Sequence, residues 1–240
     1  LKDFNVIYKN RSDDFHGLAL SGPKSRNLLQ KIVRENISNE NFKFRDVREM
    51  YVAGVPAIVN RISFTGELGY EVYVAPHFQL KLYEEMEAAG KDFNLKPFGS
   101  RALMSMRLEK NWGAWTLDFR PDFTAKESGL DFFIDWNKDF IGKESAKKDI
   151  SKLKLTPLII ETEDIDVTNN EAVVKDGKSI GYITSGGFAH YVKKSIAYSY
   201  LDEKILKTSS KFQVEINGDF YECAVIKEPL YDPRGTKMRS

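Results

Sequence analysis

Two charged motifs hold the residue types that could do chemistry in this chain. The first is the segment 62–74, with the sequence ISFTGELGYEVYV, and the second is 107–110, with the sequence RLEK. The first motif reads as strand, tight turn and strand, because two glycines supply the backbone freedom of a turn. It places Glu67 in the turn and Glu71 inside an aromatic and β-branched strand. A carboxylate has no packing use there, so Glu71 is the best candidate for a ligand contact.

Strand alternation indicates what Glu71 could bind. It puts Glu71 and Tyr73 on one face, and Tyr70, Val72 and Val74 on the other. A carboxylate beside an aromatic ring can accept two parallel N–H donors while the ring flanks a flat ligand. Guanine and pterin both offer such donors, a ring N–H and an exocyclic amine. The alternative is that Glu71 pairs with a lysine or arginine at the sheet edge, and the residues alone leave both open.

The second motif lies on a predicted helix. Arg107 and Glu109 are two positions apart, so their side chains do not face each other. We expect Arg107 to anchor the helix to a neighbouring carboxylate rather than to bind a substrate. Aromatic residues crowd the exit of this helix: Trp112, Trp115, Phe119 and Phe123. They could form either core or a stacking wall for a flat ligand.

The sequence gives no support for a phosphate-binding loop, a metal site or a reactive cysteine. The chain has no phosphate-binding glycine loop, and the segment 185–187, Ser-Gly-Gly, reads as a turn because no helix pattern follows it. The histidines His16, His77 and His190 lack metal-ligand spacing, so we expect no metal site. Cys223 lies among apolar strand residues and is expected to be a packed thiol.

The composition bounds the class of protein. Of 240 residues, 42% are apolar and 30% are charged, which is typical of a globular domain. A net charge of +1 offers no field for nucleic acid or an acidic membrane. No apolar run approaches the roughly 20 residues that span a bilayer. A single cysteine fits a reducing compartment, and the lysine- and asparagine-rich composition favours a bacterial cytoplasm. The chain does not begin with methionine, so we expect it to be part of something longer.

Predicted helices and strands are mixed up to residue 153. The strands are 6–8, 17–20, a hairpin at 47–64, 69–74 and 130–136. The first helix has Pro23 in its first turn and Leu28, Leu29, Ile32 and Val33 at helical spacing. The other helices are 78–89, with Phe78, Leu82, Met86 and Ala89 on one stripe and a left-handed Gly90 at its end, 99–111, with Ala102, Leu103 and Met106 facing inward, and 141–153. From residue 154 the pattern is strand only: 155–160, 172–174, 179–184, 195–200, 212–216 and 220–226. Asp176-Gly177 and Asn217-Gly218 mark hairpin turns. Six short strands predict a small barrel or sandwich.

Five motifs occur in an order that resembles a known family. They are SGPKSR at 21–26, the block at 64–74, RLEK at 107–110, ESGL at 127–130 and FIGKES at 140–145. Together they resemble the folate-binding aminomethyltransferases, namely the T-protein of the glycine cleavage system and the C-terminal folate domains of dimethylglycine and sarcosine dehydrogenases. The RLEK and FIGK forms are more similar to the dehydrogenase branch.

The resemblance implies an α+β fold of antiparallel sheets with packed helices, followed by a C-terminal β-barrel. It divides the chain into a folate-binding region at 1–153 and a barrel domain at 154–240. Within the first region, 1–101 would complete one sheet-and-helix unit, and 102–153 would be part of a middle unit.

The resemblance also implies a cofactor site. Glu71 would hold the pterin edge of tetrahydrofolate. Five further residues would line or flank the same pocket: Phe64, Val72, Tyr73, Trp112 and Phe132. Phe64 stands where the family often has a tyrosine, and Leu103 stands where the glycine-cleavage branch has an arginine.

The implied activity is one-carbon transfer from a small methylated amine or aminomethyl donor, giving 5,10-methylenetetrahydrofolate. The family's N-terminal third, with its catalytic aspartate, has no counterpart here, so no catalytic residue is assigned. The expected partners are that missing segment or a flavin dehydrogenase domain, and FAD would lie only on the latter. The alternative is a non-catalytic folate-binding or assembly module, although the Lys-Gly-Cys-Tyr motif of related iron–sulfur assembly proteins is absent around Cys223.

Overall fold

The computed structural model describes residues 4–148, 150–163 and 165–240. The chain forms two compact units. One comprises Leu1–Phe98 with Arg234–Ser240, and the other comprises Gly99–Pro233. The boundary of the compact units therefore lies at 98/99, and a domain boundary at 153/154 stays a prediction.

The first unit is built on a four-stranded antiparallel sheet. Its strands are β1 (His16–Ser21), β2 (Val47–Val52), β3 (Val55–Asn60) and β4 (Gly69–Val74), in the order β1-β4-β3-β2. Helices α1 (Ser25–Ile32) and α2 (Gln79–Gly90) cover one face. Alternate strand residues on that face join Leu28, Leu29, Leu82 and Met86 of the helices in one apolar core. The other face, which we call the outer face, holds the half-buried and exposed strand residues.

The hairpin predicted at 47–64 is confirmed at its turn but ends early. Ala53 and Gly54 join β2 to β3 with φ values of 52° and 76°, as a two-residue type I′ turn requires. However, β3 ends at Asn60, and residues 61–68 form a loop rather than a tight turn.

The loop at 61–68 forms because its first side chain turns inward. Arg61 is fully buried and donates hydrogen bonds to the backbone oxygens of Phe42 and Ser240. At the end of the loop, a Cβ on Gly69 would lie 2.9 Å from the carbonyl oxygen of Ile62. Only glycine lets the chain close back on itself so tightly.

Two further expectations for the first unit are wrong. Residues 6–8 form no strand. Helix α2 does end at Gly90, but Gly90 has φ −75° rather than a left-handed conformation. The left-handed residue is Asn94, with φ 57°, after a 3-10 turn at Lys91–Phe93. The apolar stripe of α2 is confirmed by burial of Leu82 and Met86.

The second unit begins with helix α3 (Ser100–Glu109), as predicted. The strand predicted at 130–136 is wrong, because the segment makes consecutive turns that include a 3-10 turn at Asp131–Phe133. The helix predicted at 141–153 shrinks to α4 (Lys143–Lys147), and residue 149 lies outside the described residues. A lysine-rich stretch offers no apolar stripe to pack, and packing is what sustains most helices.

The six strands predicted after residue 154 are all present. They are β5 (Leu153–Ile160), β6 (Ala172–Lys175), β7 (Lys178–Ala189), β8 (Lys194–Asp202), β9 (Lys211–Ile216) and β10 (Asp219–Val225), closed into a barrel in the order β10-β5-β8-β7-β6-β9. Helix α5 (Glu203–Thr208) joins β8 to β9, and α6 (Thr236–Arg239) belongs to the first unit. The fold is therefore α+β with a C-terminal barrel, as expected.

The glycine turns of the barrel follow the sequence, with one exception. Asp176-Gly177 and Asn217-Gly218 all have positive φ, which confirms the predicted hairpin turns. The Ser-Gly-Gly segment at 185–187 lies inside β7 and is not a turn. Gly186 is needed there because a Cβ would lie 2.9 Å from Cγ1 of Val167.

We predict that Leu29→Ala lowers the free energy of unfolding by about 2–5 kcal/mol, because Leu29 is fully buried in the core of the first unit. Leu80→Ala is the matched control, since Leu80 is 68% exposed on α2. Urea denaturation followed by circular dichroism measures both. Equal effects of the two substitutions would contradict the packing described for α1.

Candidate functional site

The outer face of the sheet presents its side chains in rows that cross all four strands. Strand register places the following residues side by side in one row: Ala19, Glu71, Asn60 and Val47. The neighbouring row comprises Gly17, Tyr73, Ile58 and Glu49. Glu71 and Tyr73 therefore occupy adjacent rows of one strand on the same face, as strand alternation predicts.

Glu71 and Tyr73 are in direct contact. The Tyr73 hydroxyl donates a hydrogen bond of 2.7 Å to Oε2 of Glu71, and both side chains are half-buried. In the part of the chain that the structure describes, no ion pair joins Glu71 to a lysine or an arginine. An ionised carboxylate has about four acceptor positions, and the phenol occupies one. The carboxylate can therefore still accept two donors from a ligand.

Gly17 lets the Tyr73 ring lie against β1. The two residues are directly opposite in the register of β1 and β4. A Cβ on Gly17 would lie 2.8 Å from Cε1 of the Tyr73 ring, closer than real Cβ contacts. The missing side chain of Gly17 is thus part of the geometry that brings the Tyr73 hydroxyl to Glu71.

Tyr73 is a donor that stays protonated. Burial raises the pKa of Tyr73 to about 12, and the hydrogen bond and negative charge of Glu71 add to this shift. The neutral phenol is therefore present throughout the physiological pH range. It supplies a fixed O–H donor to one oxygen of the Glu71 carboxylate.

A cavity of about 490 Å³ opens on the same unit, within the size range of ligand pockets. Tyr73, Ile58 and Tyr51 are among the residues that line it. Glu71 does not line this cavity. Its hydrogen-bond partner Tyr73 does, so the cavity lies beside the Glu71–Tyr73 pair.

Two other predicted ligand residues of the first unit differ in what they can offer. Val72 is fully buried in the core on the face opposite Glu71. Only its backbone is available to a ligand on the outer face. Phe64 is half-buried in the loop at 61–68, between the strands that carry Asn60 and Glu71.

Trp112 and Phe132 belong to the second unit. Trp112 is half-buried after α3, and its carbonyl accepts a 3.0 Å hydrogen bond from Nη1 of Arg107. Phe132 is 73% exposed, with its ring centroid 4.1 Å from that of Phe133. The structure thus brings Glu71 and Tyr73 together, and the cofactor role of all six predicted residues stays a prediction.

The arginine of the second motif is a structural anchor. Nη1 of Arg107 lies 3.0 Å from the carboxylate of Asp118, with both side chains at most 1% exposed. Asp118 also accepts hydrogen bonds from Thr184 at 2.5 Å, Ser185 at 2.7 Å and the backbone N–H of Ala114 at 2.8 Å. Burial lowers the pKa of Arg107, and the charge of Asp118 opposes that shift. The expectation that Arg107 pairs with a carboxylate is confirmed.

The rest of the second motif is also structural. The Glu109 carboxylate accepts the backbone N–H groups of Tyr191 and Val192, at 2.7 and 3.2 Å. Nζ of Lys110 donates to the carbonyl oxygen of Asp232. These bonds tie α3 to the loops that follow β7 and β10.

The buried residues of α3 are Ser105, Arg107, Leu108 and Glu109. The prediction that Ala102, Leu103 and Met106 face inward is wrong for Ala102, which is exposed, whereas Leu103 and Met106 are half-buried. Polar residues occupy buried positions because they bond to the barrel, as the Ser105 hydroxyl does by donating to the carbonyl oxygen of Phe188.

The aromatic residues after α3 have different environments. Phe123 stacks on Tyr200 at 3.5 Å between ring centroids. Phe119 lies against Gly113, where a Cβ would be 2.5 Å from the ring. Trp115 is 75% exposed. The group is therefore neither one continuous core nor one stacking wall.

The thiol of Cys223 is buried, which confirms the expected packing, and burial raises its pKa to about 12. Among the described residues, no group of three or more histidine, cysteine, aspartate or glutamate side chains could hold a metal ion. Within the same residues, no helix is long and apolar enough to cross a membrane.

Sequence reasoning did not select two polar residues that the structure brings forward. Asp118 organises the buried network, and nothing in its sequence neighbourhood marks it. Asn60 lies directly opposite Glu71, and its Oδ1 is buried without a hydrogen-bond partner in the described residues. Counting alternation back from the β2–β3 turn would have placed Asn60 on the face of Glu71.

Comparisons with known proteins agree with this architecture. The model for the GCVT N-terminal domain matches residues 1–138, and that for the glycine cleavage T-protein C-terminal barrel domain matches residues 154–232. Human mitochondrial dimethylglycine dehydrogenase is 34% identical over 98% of this chain, which spans 28% of that protein. The aminomethyltransferase of Caldanaerobacter subterraneus is 32% identical over 95% of this chain, which spans 62% of that protein.

A solved structure shares the fold. The crystal structure of glycine cleavage system aminomethyltransferase T from Bartonella henselae matches with a TM-score of 0.78 at 21% identity, covering 91% of this chain and 60% of that one. The chain therefore spans between 28% and 62% of the length of these relatives.

We predict that Asp118→Ala lowers the free energy of unfolding by about 3–5 kcal/mol, because it leaves the Arg107 guanidinium buried without its counter-charge. The matched control is Asp122→Ala, since Asp122 is 68% exposed in its ion pair with Arg120 and should contribute little. Chemical denaturation measures both. A small loss for Asp118→Ala would show that the network does not hold α3 in place.

We predict that Tyr73 ionises near pH 12 rather than at the ordinary value of 10.0. Ultraviolet absorbance titration, as a difference between the wild type and Tyr73→Phe, isolates this phenol. Because the folded-state pKa is raised, the protonated phenol stabilises the fold fully below pH 10, and this contribution is lost as the pH rises through 12. Glu71→Gln should lower the pKa of Tyr73, and an unchanged value would contradict the contact.

Proposed function

Because the chain belongs to the glycine cleavage T-protein family, we propose that it binds tetrahydrofolate through Glu71 and serves in one-carbon transfer. The donor would be a small methylated amine or an aminomethyl group. The observation that carries the proposal is a half-buried carboxylate held by a tyrosine and free of any ion pair within the described residues.

The residues of the outer face fit the pterin part of tetrahydrofolate. A pterin presents a ring N–H and an exocyclic amine side by side, and a carboxylate can accept both at once. The Tyr73 hydroxyl bonds one oxygen of Glu71 and fixes the carboxylate while leaving acceptor positions available. When bound, tetrahydrofolate supplies the amine nitrogen that takes up the one-carbon unit.

The contribution of this chain to the reaction is positioning. Holding two reactants in a productive geometry removes much of the entropic barrier of a bimolecular step. Glu71 would orient the pterin, and Tyr73 would keep Glu71 in place. Phe64, Trp112 and Phe132 are proposed to flank the cofactor, and no proton-transfer residue is assigned to this chain.

The dehydrogenase relative suggests the source of the one-carbon unit. We propose a donor iminium produced at FAD on a separate dehydrogenase domain, because human dimethylglycine dehydrogenase matches nearly the whole chain. A partner that supplies the family's N-terminal third is part of the same proposal. So is a bacterial cytoplasmic location, which rests on composition alone.

We predict that Glu71→Ala weakens tetrahydrofolate binding by roughly 2–5 kcal/mol, because two buried donors of the ligand lose their acceptor. This corresponds to an increase of about 30- to 4,000-fold in Kd. Isothermal titration calorimetry under anaerobic conditions measures it. Glu84→Ala, which removes an exposed carboxylate from α2 on the other side of the sheet, is the control and should bind like the wild type.

An unchanged Kd for Glu71→Ala would remove the assignment. Transfer activity is a separate question, measured as formation of 5,10-methylenetetrahydrofolate from a methylated glycine in the presence of a flavin dehydrogenase. Binding of tetrahydrofolate without any transfer would favour the alternative, a non-catalytic folate-binding module.

A further inference from the structure

Asn60 carries an unmet acceptor beside the proposed cofactor site. Its side chain is half-buried, its Oδ1 is sealed from solvent, and no described residue donates a hydrogen bond to that atom. A buried acceptor without a donor destabilises the folded state. Such groups in native proteins are rare and call for an explanation, of which binding is one.

The position of Asn60 supplies that explanation. It lies directly opposite Glu71 in the antiparallel register of β3 and β4, so the two side chains share the outer face. Directly opposed residues have Cβ atoms about 4.5–5.5 Å apart. Among the other buried atoms without a hydrogen-bond partner in the described residues, Tyr198 Oη and Ser195 Oγ lie in the second unit, and Arg61 Nε, a donor, lies in the first.

A 2-amino-4-oxo-pteridine has one more donor than a single carboxylate can bind. When a carboxylate accepts the ring N–H and one hydrogen of the exocyclic amine, the other hydrogen of that amine points away from the carboxylate. A neighbouring acceptor in the ligand plane can bind it. The terminal torsion of asparagine is soft, so a small rotation turns Oδ1 towards the outer face.

We propose that Asn60 is a specificity-determining residue that accepts the second hydrogen of the exocyclic amine. The inference rests on the proposed function, since it takes the ligand to be a reduced pteridine held by Glu71. Asn60 and Glu71 together would then distinguish a 2-amino pteridine from one that lacks the amine. Glu71 alone would still bind the ring N–H of both.

A purely structural role for Asn60 makes a different prediction. A structural asparagine bonds to the protein, and its removal destabilises the fold. An asparagine kept for a ligand leaves its acceptor unmet, and replacing it by an apolar residue of similar size should leave the fold equally stable or more stable. Asn60→Leu tests this, and Asn60→Ala provides a second variant that removes the acceptor without adding bulk.

The experiment compares two ligands on four proteins. Calorimetry under anaerobic conditions measures the Kd of tetrahydrofolate and of its 2-desamino analogue for the wild type, Asn60→Leu, Asn60→Ala and Val47→Ala. Val47 is the matched control, since it is exposed and lies opposite Asn60 on β2. We expect both Asn60 variants to bind tetrahydrofolate roughly three- to tenfold more weakly, with unchanged affinity for the analogue. Val47→Ala should match the wild type for both, and Asn60→Leu should not lower the Tm.

The following results would contradict the proposed role of Asn60. Asn60 is structural if its variants lose the same affinity for both ligands. It is also structural if Asn60→Leu lowers the Tm and neither Asn60 variant loses affinity for tetrahydrofolate selectively. If the Asn60 variants bind tetrahydrofolate as tightly as the wild type while Glu71→Ala binds it weakly, this inference is wrong and the proposed function stands. A wild type that binds neither ligand would overturn both.

Discussion

The hydrogen bond from the Tyr73 hydroxyl to the Glu71 carboxylate fixes the acceptor of the candidate site. A partly buried carboxylate is stable when cations or donors surround it. Here a neutral phenol holds it, and no described lysine or arginine forms an ion pair with it. The Glu71 carboxylate is therefore held in place and still has acceptor positions for a ligand. The bare backbone of Gly17 makes room for the ring that delivers this bond.

The two charged motifs show opposite uses of charge. Arg107 and Asp118 are buried and satisfied by each other and by their neighbours, so they hold the second unit together and have little left for a ligand. Glu71 is fixed by one neutral donor and retains acceptor positions towards the outer face. The hydrogen-bond and ion-pair partners of a carboxylate, rather than its exposure, therefore distinguish the structural Asp118 from the candidate ligand contact Glu71.

Local sequence patterns predict much of the fold and part of the candidate site. The six barrel strands and the β2–β3 turn follow from short apolar segments separated by Asp-Gly, Asn-Gly and Ala-Gly turns. Alternation placed Glu71 and Tyr73 on one face. The failures came from long-range contacts, such as buried Arg61 opening the loop at 61–68, and from the segment at 130–136, which has strand-like residues but makes turns. Asp118 and Asn60 became visible only through partners distant in sequence.

The most direct test is a structure of this chain with tetrahydrofolate bound. We expect the Glu71 oxygens to lie about 2.7–2.9 Å from the ring nitrogen and the exocyclic amine of the pterin, with the Tyr73 hydroxyl still bonded to the same carboxylate. A pterin bound elsewhere on the chain, or a Glu71 carboxylate turned towards a lysine or arginine, would contradict it.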